Sequence, residues 1–168
     1  MSRIVVIGSG IAGLFAALRL DEAGHDVVVI TKQRPKDSST NWAQGGIAGI
    51  LDKTDGAGKD AHISDTLEAG DGLCDESVVR LVVEEAGDRI RDLLEVGVEF
   101  EKDGDEFHLV KEGGHTARRI LHAKDATGAE IERALTEAIS KSEKISMRPH
   151  TLGAVSYTHL TLPTNGCV

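Results

Sequence analysis

Three glycines with the spacing G-x-G-x-x-G stand near the start of the chain and could bind phosphate groups. In this motif the first glycine permits a tight turn, the second lets the backbone approach a pyrophosphate, and the third lets a helix pack close to a strand. The N-terminus of the helix offers N–H groups and the positive end of a dipole to an anion. The motif consists of Gly8, Ser9, Gly10, Ile11, Ala12 and Gly13.

A second candidate binding segment, residues 38–49, is rich in small and polar residues and contains the only Trp of the chain. Its glycines and hydroxyl groups suit a backbone that lies against a flat ligand and offers N–H groups to ring heteroatoms. A flexible surface loop is the alternative, but it would not account for the Trp or for the Ala-Gln-Gly-Gly run. The candidate cofactor-binding residues are Ser39, Thr40, Asn41, Trp42, Ala43, Gln44, Gly45 and Gly46.

Residues 112–119 form the densest cluster of ionisable residues and glycines. The guanidinium groups of Arg118 and Arg119 suit a dicarboxylate, because they can bind carboxylates in a bidentate way, and Glu112 could face a substrate ammonium group. A solvated charged loop that closes a hairpin is the alternative. His115 and the later His122 are expected to be partly buried polar residues rather than catalytic groups.

The elements around the glycine motif follow the order strand, helix, strand. The apolar run at residues 3–7 predicts a strand buried on both faces of a parallel sheet, and a helix should follow and end near Gly24. Residues 27–30 predict a second strand, and residues 145–147 a later one. Thr31 and Lys32 stand where NAD-binding proteins place an acidic residue, so Lys32 is a candidate contact for the phosphates or ribose of a larger dinucleotide.

Residues 52–126 are expected to form helices and a hairpin. A connector at residues 52–60 should lead to a short helix that ends near Gly70, and Asp75 should cap a long helix that Gly97 closes. The apolar positions of this long helix are expected in the core. Alternating residues at 98–100 and 106–110 predict a hairpin around residues 102–105. The expected core positions of the long helix are Val79, Val82, Val83, Ala86, Ile90, Leu93 and Leu94.

The last predicted helix begins at Thr127. Thr127 and Glu130 have the spacing of a capping box, in which each side chain bonds a backbone N–H group of the first turn. The apolar residues that follow predict a buried stripe on this helix. They are Ile131, Ala134, Leu135, Ala138 and Ile139.

The composition excludes several classes of function. The 19 Lys and Arg residues against 28 Asp and Glu residues give a formal charge of −9, which argues against nucleic acid or an anionic membrane as a partner. No stretch is long and apolar enough for a membrane span. Cys74 and Cys167 match no metal spacing, and no metal is expected. We therefore expect a cytoplasmic protein with two reduced thiols.

Together these segments closely resemble the L-aspartate oxidases, a branch of the succinate dehydrogenase and fumarate reductase flavoprotein family. Four blocks contribute to the resemblance, and they extend over almost everything up to about residue 150. The blocks are residues 7–14, 39–46, 65–70 with 74–75, and 112–128. The second and fourth of these blocks are the most specific to the family.

The resemblance implies FAD, with Ser9 to Ala12 at the pyrophosphate, Lys32 nearby and residues 39–46 against the isoalloxazine. The covalent members of the family carry a histidine five residues before the Gln of this run, where this chain has Ser39, so non-covalent FAD is implied. The matching Glu in the family faces the amino acid, which makes Glu112 the candidate substrate contact. The implied reaction is oxidation of L-aspartate to iminoaspartate for quinolinate and NAD biosynthesis, with oxygen or fumarate as electron acceptor and quinolinate synthase downstream.

The implied fold is α/β, an incomplete Rossmann-like FAD/NAD(P)-binding domain with an inserted helical and hairpin segment. Residues 1–155 would be the N-terminal part of this domain, with a nucleotide-binding lobe at 1–46 and 124–155 and an intervening segment at 47–123. Residues 156–168 resemble a non-native tail, and the essential catalytic arginine is expected beyond the chain. A fragment of a fumarate reductase or succinate dehydrogenase, or a non-catalytic nucleotide-binding fragment, are the alternatives.

Overall fold

The computed structural model describes residues 2–154, which form seven strands and four helices. The predicted tail at residues 156–168 lies outside this range. In chain order the elements are β1 (Arg3–Ile7), α1 (Ile11–Glu22), β2 (Asp26–Ile30), β3 (Ile47–Ala48), α2 (Gly56–Ala69), α3 (Glu76–Val96), β4 (Lys102–Asp103), β5 (Glu106–Phe107), β6 (Ile120–Leu121), α4 (Thr127–Ser140) and β7 (Ile145–Arg148).

The main sheet is parallel and has the order β1-β2-β7. Val28 of β2 pairs with Val5 on one side and with Ser146 on the other, so the last strand returns to the first sheet as the sequence predicts. The central strand β2 is buried at residues 27–29. This strand order and the packed helices confirm the predicted Rossmann-like α/β fold.

The prediction that β1 is buried on both faces is wrong for the described residues. Val5 and Ile7 are 57% and 67% exposed, whereas Ile4 and Val6, which alternate with them along the strand, are half-buried. β1 is an edge strand of the sheet, and its apolar composition alone cannot show which face another element covers. The apolar run therefore predicted the strand but not its surroundings.

Helix α1 packs against the sheet through a close approach of two glycines. A Cβ atom at Gly13 would overlap the carbonyl oxygen of Gly8, and would lie 3.0 Å from the carbonyl carbon. Gly8 has a φ of 111°, in the left-handed region that glycine adopts without steric cost. Behind this contact the core continues into α4 and the sheet through Leu14, Ala17, Val27, Val29, Leu135 and Ile139.

Helix α4 has the predicted buried stripe but not the predicted capping box. Its N-cap is Ala126, and no side chain caps the helix. The Thr127 hydroxyl instead accepts a hydrogen bond from the Ala123 N–H (3.0 Å), and the Glu130 carboxylate accepts one from the Glu99 N–H (2.9 Å). Contacts with neighbouring segments thus occupy both side chains, which local spacing does not reveal.

Helix α2 begins earlier than the sequence predicts. Asp55 is its N-cap and accepts a hydrogen bond from the Gly58 N–H at 2.7 Å. The predicted connector at residues 52–60 is therefore helical from Gly56 onward. Two glycines in its first turn have low helix propensity, and the aspartate cap offsets part of that cost. The predicted end near Gly70 is confirmed.

Helix α3 has both predicted ends. The Asp75 carboxylate accepts hydrogen bonds from the N–H groups of Ser77 and Val78, and Gly97 closes the helix with a φ of 106°. Its C-terminal half packs in the core, but Val82 is 60% exposed, so the expectation that the whole apolar face is buried is wrong. Among the described residues, no helix combines the length and apolarity needed to cross a membrane.

The hairpin forms closer to its turn than the sequence predicts. β4 and β5 pair Lys102 with Phe107 and Asp103 with Glu106, so the predicted turn residues Lys102 and Asp103 are strand residues. Gly104, with a φ of 65°, lies in the turn. Glycine followed by Asp105 suits such a tight two-residue connection.

Replacement of Gly13 by alanine tests the close approach of α1 and β1. We expect Gly13→Ala to lower the free energy of unfolding by about 1–3 kcal/mol, because the added methyl group must displace backbone. Urea unfolding would measure the change. Gly56→Ala is the matched control, since a Cβ there has no neighbour within 4 Å. Equal stability of the two variants would contradict the packing argument.

Candidate functional site

A cavity of about 390 Å³ opens at the carboxyl ends of β1 and β2. This is the end of a parallel sheet at which α/β proteins bind ligands. The cavity brings together residues that are distant in sequence, including six of the predicted cofactor-binding residues. Those six are Gly8, Ser9, Gly10, Lys32, Ser39 and Thr40, and the other lining residues are Ile7, Ile30, Thr31, Asp37, Ser38, Thr151, Leu152 and Gly153.

The N-terminus of α1 faces this glycine turn and suits an anion. The N-cap is Gly10, which has no side chain of its own to bond the N–H groups at the helix start. The Ile11 N–H donates to the Thr40 hydroxyl at 3.0 Å, which leaves the later N–H groups of the first turn without an acceptor inside the helix. Ala12 and Gly13 belong to that turn. The predicted pyrophosphate-binding residues therefore lie at a helix N-terminus.

Ser9 takes part in the site through its backbone. Its buried hydroxyl lies 2.9 Å from the Thr31 hydroxyl and 3.0 Å from the carbonyl oxygen of Pro35. These contacts fix the glycine turn to the segment after β2. The Ser9 hydroxyl is therefore occupied within the protein, whereas the turn backbone lines the cavity.

The predicted flavin segment is a loop that two hydrogen bonds and one close backbone contact hold against α4. The Ser38 hydroxyl donates to Glu132 at 3.0 Å and accepts from the Asn41 N–H at 3.2 Å. The Gly128 N–H donates to the carbonyl oxygen of Ala43 at 3.0 Å. A Cβ at Gly128 would overlap the Thr40 carbonyl oxygen, so only glycine permits this docking.

The side chains at the middle of this loop point outward. Trp42 is 74% exposed, and Ala43, Gln44 and Gly45 are also exposed. An indole on the surface of the described residues leaves a large apolar area in contact with water. This exposure is consistent with a binding surface. The Trp is also the residue that made the segment unusual in the sequence.

Glu132 is a buried acid that sequence reasoning missed. It is 2% exposed, and one carboxylate oxygen has no hydrogen-bond partner among the described residues. Burial raises the pKa of Glu132 above its ordinary value, and the Ser38 hydrogen bond opposes this only in part. The sequence signal that could have revealed it is an acidic residue beside the apolar stripe of α4.

The other end of the loop approaches Glu112. A Cβ at Gly45 would lie 3.9 Å from both Glu112 carboxylate oxygens. Gly46 packs so closely on β6 that a Cβ would overlap Ile120 and the Leu121 carbonyl oxygen. Glu112 is exposed. The loop therefore runs from the cavity at Thr40 to a carboxylate that the sequence singles out.

A buried ion pair holds the segment that follows Glu112. Arg119 is 1% exposed, and its guanidinium contacts the Asp65 carboxylate of α2 at 2.5 Å. The Thr116 N–H also donates to Asp65 at 2.7 Å, and this bond and Arg119 hold the Asp65 pKa at about 2. The expectation that both arginines serve a dicarboxylate is wrong for Arg119, because Asp65 already occupies its guanidinium.

His115 and His62 complete this polar cluster. His115 Nδ1 lies 3.1 Å from the Arg119 guanidinium, and its ring centroid is 5.5 Å from that of His62. Burial lowers the pKa of His62, and the nearby Arg119 charge adds to the shift. Both rings lie beside a structural ion pair, which agrees with the expectation that His115 is a partly buried polar residue.

Comparison with known proteins identifies the family. Residues 3–155 match the FAD binding domain family. The chain belongs to this family. It is 51% identical over 138 residues to the L-aspartate oxidase of Streptomyces coelicolor, which covers 81% of the chain and 23% of that protein. It is 41% identical over 175 residues to the Pseudomonas aeruginosa L-aspartate oxidase, with 98% and 32% covered.

Solved structures show the same fold. The apo Mycobacterium smegmatis Sdh1 complex superposes with a TM-score of 0.77 at 30% identity, over 88% of this chain and 28% of the other. An E. coli quinol fumarate reductase gives 0.77 at 27% identity, over 88% and 26%. The chain spans roughly a quarter to a third of the length of these two L-aspartate oxidases.

The comparisons confirm the resemblance to L-aspartate oxidases and FAD as the cofactor. The described residues also fit this cofactor. The glycine turn and the N-terminus of α1, where only the Ile11 N–H is bonded by a side chain, suit a pyrophosphate, and a polar loop extends from that cavity towards Glu112. Sequence reasoning missed residues 151–153 as lining residues of this cavity. They follow β7 at the same sheet edge, so the rule that ligands bind at the carboxyl ends of parallel strands could have found them.

Replacement of Asp65 by asparagine tests the buried ion pair. A carboxyl whose pKa is lower in the folded state stabilises the fold above its unfolded pKa, and this contribution disappears as the pH falls through the folded pKa. We therefore expect Asp65→Asn to have a lower free energy of unfolding than the unsubstituted chain at neutral pH. Between pH 3.8 and about pH 2, the free energy of unfolding should fall less for Asp65→Asn than for the unsubstituted chain. Urea unfolding at several pH values would measure both effects.

Asp75→Asn is the control for this experiment. Asp75 is an exposed N-cap, and asparagine caps a helix about as well as aspartate. Its neutral-pH stability should stay close to that of the unsubstituted chain. An Asp65→Asn chain as stable as this control would contradict the importance of the ion pair.

Proposed function

We propose that this chain is the N-terminal FAD-binding part of an enzyme that oxidises L-aspartate to iminoaspartate, a step of quinolinate and NAD biosynthesis. The central observation is the loop at residues 38–46, which runs from the cavity at the N-terminus of α1 to the carboxylate of Glu112. The 51% identity to an L-aspartate oxidase supports the choice of substrate. Residues 1–46 and 124–155 would form the nucleotide-binding lobe and residues 47–123 the intervening segment.

We assign the pyrophosphate to the glycine turn and the helix start, and the isoalloxazine and its linker to the loop. When bound, FAD supplies a hydride acceptor. Ser39 stands where covalent relatives have a histidine, so the chain should hold FAD non-covalently. The proposed contacts are Gly8, Ser9, Gly10, Ile11, Ala12, Gly13, Lys32, Ser39, Thr40, Asn41, Trp42, Ala43, Gln44, Gly45 and Gly46.

Glu112 would orient the substrate by accepting hydrogen bonds from its ammonium group. The loop fixes the position of Gly45 beside it, and the Asp65–Arg119 ion pair holds the segment that follows. Such positioning lowers the barrier because the reacting groups lose less freedom on the way to the transition state. The essential arginine of the reaction would come from outside these 168 residues.

The remaining assignments follow from the same proposal. Oxygen or fumarate would accept the electrons, and quinolinate synthase would use the product. A cytoplasmic location stays a prediction. A fumarate reductase or succinate dehydrogenase identity is less well supported, because identity to the Sdh1 structure is 30% against 51% to an L-aspartate oxidase.

The first test is FAD binding by the 168-residue chain. FAD should raise its melting temperature, since a ligand of the folded state stabilises it by mass action. Gly10→Ala should weaken FAD binding by about 10-fold or more, because a methyl group would separate the backbone from the phosphates. Flavin fluorescence would give the affinities. Gly56→Ala, distant from the cavity, should bind like the unsubstituted chain; unchanged melting with FAD would contradict the assignment.

The second test concerns the substrate and uses a full-length enzyme that contains this chain. Glu112→Gln should raise KM for L-aspartate by about 10-fold or more, because it removes a charge-assisted hydrogen bond, while the FAD content stays unchanged. Glu106→Gln, at the exposed residue of strand β5, is the control. The 168-residue chain alone should show no reduction of bound flavin by L-aspartate. An unchanged KM in Glu112→Gln would refute the role of Glu112.

A further inference from the structure

Three potential metal ligands meet where the hairpin joins β6. Glu101 lies opposite His108 just beyond the β4–β5 pairing, and the His108 N–H donates to the Glu101 carbonyl oxygen at 2.9 Å. The Glu101 N–H in turn donates to the carbonyl oxygen of His122, also at 2.9 Å. Backbone hydrogen bonds therefore connect all three residues. None of the three lines the cavity of the glycine turn.

The three side chains converge. His108 Nδ1 lies 2.9 Å from His122 Nε2, and the two ring planes are inclined at 66°. A carboxylate oxygen of Glu101 is 3.6 Å from His122 Nδ1 and 4.0 Å from His108 Nδ1. One possible ligand atom from each residue lies within 4.8 Å of both others. His122 faces His108 with Nε2 and Glu101 with Nδ1, so one of its two nitrogens would serve as the ligand beside one nitrogen of His108 and one carboxylate oxygen of Glu101.

We propose that Glu101, His108 and His122 form a binding site for a divalent transition-metal ion such as Zn²⁺. Imidazole and carboxylate are the ligands of many three-ligand zinc sites, which complete their coordination with water. Two ligands about 2.1 Å from a tetrahedral ion are about 3.4 Å apart. The three ligand atoms here lie within 4.8 Å of one another, so rotation of the side chains would have to bring them closer to enclose the ion.

The burial of the three side chains suits such a site. His122 is only 15% exposed, which fixes one ligand, while His108 and Glu101 are 37% and 38% exposed and can be reached from solvent. In the absence of metal, the two rings share a hydrogen bond that satisfies their facing nitrogens. A metal must replace that bond, so moderate rather than extreme affinity is expected.

Calorimetric titration of the full chain with ZnCl₂, after treatment with a chelator, tests the proposal. We expect about one ion per chain and an increase in melting temperature, with no response to Mg²⁺, which prefers oxygen ligands. His108→Asn and Glu101→Gln should each weaken Zn²⁺ binding by about 10-fold or more. Co²⁺ should give visible absorption bands of low coordination number that these variants lose.

Matched controls separate this site from other metal ligands of the chain. His150 is exposed and has a left-handed φ of 55° that asparagine tolerates, so His150→Asn should bind Zn²⁺ like the unsubstituted chain. A His159→Asn, Cys167→Ser chain removes the ligands beyond the described residues and should keep the site. Absence of binding, or equal binding by Glu101→Gln and His150→Asn, would overturn the proposal. If His108→Asn does not fold, Glu101→Gln decides alone.

Discussion

The close approach of α1 to β1 is the constraint on which the candidate site depends. Only a residue without Cβ can occupy position 13 against the carbonyl oxygen of Gly8, and this places the helix N-terminus over the end of the sheet. Thr40 then binds the Ile11 N–H, which fixes the start of the loop at residues 38–46. Since α4 holds the same loop at Gly128, the close contacts at Gly13 and Gly128 together determine where the backbone donors and the flavin segment lie.

Buried polar groups hold the outer part of the site. Asp65 and Arg119 are far apart in the sequence and almost fully buried, and each compensates the charge of the other. Removal of one partner would leave an unpaired charge in a low-dielectric interior, which is far more costly than loss of a surface ion pair. Glu132 is different, since only one of its carboxylate oxygens is bonded by Ser38. Burial raises the pKa of Glu132, and the single Ser38 hydrogen bond opposes this rise only in part.

Local features were predicted well where the responsible residues are adjacent in sequence. The cap at Asp75, the left-handed Gly97 and the strand before Gly8 all depend on a few neighbouring residues, and all are present. The capping box at Thr127 failed because the Ala123 N–H, four residues earlier, occupies the Thr127 hydroxyl and the distant Glu99 N–H occupies the Glu130 carboxylate. The start of α2 at Gly56 was missed because two glycines in its first turn obscure the helical pattern.

By itself the sequence determined the glycine turn, its flanking strand and helix, the FAD-binding family and the candidate residues at 39–46 and 112. These depend on residue types at fixed spacing, which a chain displays without folding. Only the tertiary structure decided that Arg119 is bound to Asp65, that Glu132 is buried behind Ser38, and that Glu101, His108 and His122 converge. Each of these contacts joins segments that are separated along the chain, and only packing determines which separated segments meet.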